Sequence, residues 1–127
     1  MTESGHTYLE RNEISGDVLP LNIEDESAAI LEAAKAAGVG HTAKTLVKDG
    51  PLRVVIIGMK PGASLHEHQS PGPVTVHVLA GQVDVASAGR SDSLQAGRAL
   101  VFGPAVAHSL QAATDSVVLL TIAWPSS

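Results

Sequence analysis

Cysteine is absent from the 127 residues, so disulfides, thiolate metal ligands and cysteine nucleophiles are excluded. Aromatic residues are few: Tyr8, Phe102 and Trp124 make up only 2% of the chain. Surfaces that stack bases or sugars need exposed rings, so that class of ligand is disfavoured. Basic residues are outnumbered, 8 Lys+Arg against 13 Asp+Glu, and the formal net charge is −5. A nucleic-acid footprint needs a basic patch, and none is present in the sequence. No apolar run approaches the roughly 18 residues of a membrane span. Met1-Thr2-Glu3-Ser4 is polar and acidic, unlike a signal peptide. The expected location is therefore the cytoplasm, with neither nucleic acid nor membrane as partner. The 44% hydrophobic and 17% charged residues suit one folded domain of this length. Six histidines are the main chemical resource.

The chain divides by pattern into an arm (1–22), a helical segment (23–40) and a β-rich domain (41–127). The arm is polar, with Glu10-Arg11-Asn12-Glu13 in mixed charge, and suits pairing along a sheet edge, in its own subunit or a partner's. Over 23–37, Ile23, Ile30, Leu31 and Ala34 form an apolar stripe at helical spacing. Asn22 and Asp25 are candidate caps, acidic residues fill the first turn, and Gly38 is the expected stop. After Gly40, short segments rich in Val, Leu, Ile and Thr alternate with turn signals such as Asp49-Gly50-Pro51, Pro61-Gly62 and Pro71-Gly72-Pro73. The predicted strands are 42–48, 52–59, 64–68, 74–80, 82–88, 99–102, 108–112 and 116–124. Many short strands closely punctuated read as an antiparallel sandwich or barrel.

His66 and His68 are two residues apart, and in a regular strand both imidazoles leave one face. Neutral imidazole suits Zn, Fe, Ni, Cu or Mn. His108 opens a later strand after two turns and is the candidate third ligand. Alternation in Val74–Ala80 sends Val74, Val76 and Val78 to one face and His77 to the other, so His77 becomes a ligand only if a bulge shifts the phase. His41, beside Gly40, reads as a surface residue, and His6 lies in the arm.

These residues resemble the cupin superfamily, its small single-domain members in particular. The first family motif, G-x5-H-x-H-x3–4-E-x6-G, is met at Gly62, His66, His68 and Gly81. The second, G-x5-P-x-G-x2-H-x3-N, is met at Gly97 and His108. The resemblance covers roughly residues 41–124. It implies an all-β, antiparallel cupin-type (jelly-roll, RmlC-like) barrel with one N-terminal helix packed on it. It also implies a homodimer and a divalent metal ion (Fe, Mn, Ni or Zn) on His66, His68 and His108. The departures are informative. Three residues rather than five separate Gly62 from His66. The motif glutamate falls at Val74, Gly72 or Pro73, and the second motif's proline, glycine and asparagine are Gly103, Ala105 and Ala112. The implied site is thus three neutral histidines without the acidic fourth ligand, and no general base stands beside them.

Barrel mouths hold small ligands. Met59, Val76, Val78, Phe102 and Leu110, with Trp124, are the candidate lining of a small apolar pocket, and each is equally an ordinary core position. Gln69 and Gln111 could orient a ligand, and Arg53 and Arg98 could meet a carboxylate. Three functions remain open. They are a metalloenzyme, dioxygenase-like in its three-histidine site; a barrel that binds or senses a small molecule without functional metal; and a dimerising scaffold.

Overall fold

A computed structural model describes residues 18–125, apart from the side chains of Glu67 and His68. Most of the arm, including His6, lies outside the described residues.

Helix α1 spans Ile23–Ala36. The Asn22 side chain accepts a hydrogen bond from the Asp25 backbone N–H at 3.0 Å, satisfying one of the donors a helix start leaves unpaired. The helix ends differently from the sequence expectation. Ala37 is the C-cap, in extended conformation, and its N–H bonds to the Ala34 carbonyl. The left-handed glycine is Gly40, with φ +81°, rather than Gly38. The chain needs its reversal where it enters the first strand, two residues later than the helix end alone suggests.

Nine strands follow: β1 (His41–Asp49), β2 (Leu52–Met59), β3 (Ser64–His68), β4 (Val74–Ala80), β5 (Gln82–Ser87), β6 (Arg90–Gln95), β7 (Ala99–Phe102), β8 (His108–Ala112) and β9 (Ser116–Ala123). They form a five-stranded sheet ordered β1-β2-β9-β4-β7 and a four-stranded sheet ordered β3-β8-β5-β6. Every pairing is antiparallel. Strand β6 is the element the sequence pattern missed. Its residues, Arg-Ser-Asp-Ser-Leu-Gln, are polar, and only Leu94 is buried. It pairs because Ala88 and Gly89, both at positive φ, make the tight turn that matches strand twist. At this sheet edge the Arg90 guanidinium bonds to both Asp92 oxygens at 2.8 Å and holds that carboxyl below its ordinary range.

Alternation sorts the side chains into two cores. Val74, Val76 and Val78 of β4, Val83 and Val85 of β5, and Val118 and Leu120 of β9 turn inward, and the facing sheets close around them. On the other face of the five-stranded sheet, Ile56 and Val117 meet Ile30 of the helix. The approach is close: a Cβ on Gly58 would overlap the Ile30 carbonyl oxygen. Each fully buried Val or Ile contributes about 1.5–3 kcal/mol. No helix among the described residues is long and apolar enough to cross a membrane.

Candidate functional site

Strands β3 and β8 bring the motif histidines into relation. Ser64 lies opposite Gln111 and Leu65 opposite Leu110, and then the register slips so that His68 lies opposite His108. Three steps along β3 match two along β8, so the strand carries one extra residue. Leu65 packs on the barrel core. His66, the next residue, is exposed and borders a groove with Ser64, Asp84, Ser91, Ser109 and Gln111. The groove encloses about 520 Å³ and lies on the outer face of the four-stranded sheet. The same-face arrangement of His66 and His68 assumes unbroken alternation, and the bulge between Leu65 and His68 interrupts it. His66 thus borders the outer groove, while the His108 side chain is buried. The side chain of His68 lies outside the described residues.

His108 is 1% exposed, on the inner face of β8. Its ring stacks on Phe102 with centroids 4.7 Å apart and planes 2° from parallel. Nδ1 lies 3.1 Å from the Val106 carbonyl oxygen. A carbonyl only accepts, so Nδ1 carries a proton, and in the neutral ring the lone pair is then on Nε2. This is the orientation of imidazole that metal-binding histidines adopt, with the second nitrogen held by a backbone carbonyl. Phe102 and Val106 thus fix the ring in plane and tautomer. The sequence pattern had Phe102 only as a pocket wall and gave Val106 no role.

The loops at this end are tied to each other. Ala105 sits at φ +61° and donates its backbone N–H to the Ser70 carbonyl at 2.8 Å. Gly72 is buried where a Cβ would overlap the Ala123 carbonyl oxygen.

Met59, Val76, Val78, Phe102 and Leu110 are all members of the packed barrel core, at 0–7% exposure. Periodicity assigns a residue to the inner face but does not say whether that face is filled or hollow. The buried polar residues are Ser87, His108 and Ser116; no carboxylate is buried among the described residues. Nor do three or more His, Asp or Glu among them gather as a metal site. His77 is half-buried on the outer face of β4, opposite Leu119 and Ala99. His41 is half-buried rather than a plain surface residue, and its Nδ1 has no hydrogen-bond partner among the described residues. Its Cα lies opposite Met59, at the barrel end away from His108. Arg53 is committed to the Gly50 and Leu52 carbonyls and lies 5.3 Å from the Trp124 ring centroid.

No protein-family model matches this sequence, and no curated protein matches it. Solved structures do. An RmlC-like cupin from Shewanella frigidimarina NCIMB 400 is 23% identical with a TM-score of 0.65, over 71% of this chain and 81% of that one. A cupin superfamily protein from Desulfitobacterium hafniense DCB-2 is 14% identical with a TM-score of 0.66, over 90% and 96%. A salicylate 1,2-dioxygenase from Pseudaminobacter salicylatoxidans is 19% identical with a TM-score of 0.70, over 78% of this chain but 33% of that one. The chain has the fold of these cupin structures, an antiparallel β-barrel of the RmlC-like type with one helix packed on its outer face.

Proposed function

We propose that this small cupin binds a divalent metal ion, iron, manganese, nickel or zinc, at the His108 end of its barrel, where a small molecule meets it. The carrying observation is His108 itself: buried, stacked on Phe102, and oriented by Val106 so that Nε2 is the acceptor nitrogen. His68, opposite it in register, is the second protein ligand of this reading. His66 is left out, because it borders the outer groove. The donor chemistry fits a borderline divalent ion. Such an ion supplies Lewis acidity and acidifies its bound water. The chain's own part is to hold the imidazole rigid and dry and to limit access through the joined 69–73 and 103–107 loops. With no buried carboxylate among the described residues to move a proton, the reading favours binding over turnover. Dioxygenase-like chemistry is its extension, tested by oxygen uptake with diketones, thiols and enediols.

Metal content after exposure to Fe, Mn, Ni and Zn tests the reading. Wild type should retain stoichiometric metal, His108→Gln and His68→Gln should lose it, and His66→Gln should keep it. Loss in all three variants would restore the full histidine trio of the sequence motif. A wild-type protein that stays metal-free sinks the proposal and leaves the second reading, a barrel that binds a small molecule without metal. The missing motif glutamate favours that second reading.

A further inference from the structure

Two cations face each other across the β1–β2 pair. Lys48 aligns with Arg53, and directly opposite residues carry their Cβ atoms about 5 Å apart. Like charges so placed destabilise a strand pair, and an anion held by both removes the repulsion. Among the described side chains neither cation has a carboxylate partner. Asp49, the residue after Lys48, aligns with Leu52 and so stands on the opposite face of the sheet.

Register places the two cations at the barrel's His108 end. Arg53 aligns with Ile122, Ile122 with Val74, and Val74 with Phe102. Ile122, Val74 and Phe102 belong to the barrel core, so the row lies on the inner face of the five-stranded sheet. Phe102 carries the stacked ring of His108. From Arg53 to Phe102 the row crosses three strand spacings, about 14 Å.

Arg53 is half-buried and held in place. Its Nη1 donates to the Gly50 and Leu52 carbonyls, and the guanidinium carbon lies 5.3 Å from the Trp124 ring centroid. Those contacts leave Nε and Nη2, the side of the guanidinium whose parallel N–H bonds match a carboxylate. A fork ordered beforehand loses little freedom when it binds. Lys48, exposed beside it, adds a second positive charge.

We infer that Arg53 and Lys48 hold the carboxylate of a small organic acid at the rim of the barrel's His108 end. This names the class of the small molecule that the proposed function brings to that end, and no metal is needed to hold it.

Trp124, the single tryptophan, is the reporter. Full-length protein freed of metal by a chelator is titrated at constant ionic strength with succinate, with the neutral succinamide and with inorganic phosphate. Succinate should change the fluorescence saturably and raise the melting temperature, and succinamide should do neither. The succinate Kd should rise at least about tenfold in Arg53→Gln and about threefold in Lys48→Gln. Arg98→Gln, near the β4–β5 turn at the other end of the barrel, should match wild type. His108→Gln should match it too, so a failure of the metal reading and a failure of this one are told apart. Because Arg53→Gln also removes a neighbour of the reporter ring, its loss of binding is read from the melting temperature as well. Lys48→Glu supplies a carboxylate within the chain. It should raise the melting temperature of ligand-free protein by about 1–3 °C and abolish the succinate response. No saturable response in wild type, a response retained in Arg53→Gln or Lys48→Glu, or tighter binding of phosphate than of succinate would overturn the inference.

Discussion

A glycine is informative only where a side chain could not stand. At Gly81 the backbone is left-handed, with φ +81°, and a Cβ would overlap the Asp115 carbonyl oxygen. The Gly81→Ala variant should lose more than about 2 kcal/mol, combining backbone strain with a clash against main chain that cannot yield. Gly38 has neither constraint: nothing lies within 4 Å of its would-be Cβ. Gly38→Ala should change stability by less than about 0.5 kcal/mol. Urea midpoints for the two variants check the pair, and equal losses would contradict it. His108 belongs to the same scale. Removing its buried, stacked ring with His108→Ala should cost about 2–4 kcal/mol through the cavity left beside Phe102. For that reason the longer amide of His108→Gln is the better metal-site variant, and its melting temperature should lie above that of His108→Ala.

Among the elements, α1 was legible because its signals are local: a cap residue, three acidic residues in the first turn and a stripe at helical spacing. Asn22→Ala should cost about 1 kcal/mol, seen as a lowered melting temperature. Strand β4 was legible for the same kind of reason, since Val74, Val76 and Val78 alternate strictly with Thr75, His77 and Leu79. Strand β6 was not. It has one buried residue, and its pairing comes from the β5 hairpin rather than from its own hydrophobicity. The His-x-His pair was half legible. Its strand was found with the right bounds, but the register slips by one residue between Leu65 and His68, which breaks the alternation that relates the two histidines, and His66 borders the outer groove. A bulge is a property of two strands together, and a single strand's pattern does not contain it. Core and pocket wall were indistinguishable for the converse reason: both read as inward-facing apolar residues.

For the whole molecule, the important feature is that two cores share one sheet. Ile57 and Val118 point into the barrel, while Ile56 and Val117, their immediate neighbours, point at the helix. Neither face of β2 or β9 can lose its cover without exposing strands that hold the other. The helix alone, 14 residues long, is too short to persist in water without its packing. Unfolding should therefore be one cooperative transition, in which helix and barrel melt together. Trp124, the single tryptophan, sits at the barrel's His108 end beside Arg53 and reports on the sheet. Ellipticity at a helix-sensitive wavelength reports on α1. The two urea curves should superimpose in wild type. Ile30→Ala, which opens the helix core, and Val76→Ala, which opens the barrel core, should each shift both curves together to lower urea, by about 2–4 kcal/mol for Ile30→Ala. A helix signal lost ahead of tryptophan fluorescence in Ile30→Ala, with the fluorescence midpoint unmoved, would mean that α1 is an accessory to a barrel stable without it.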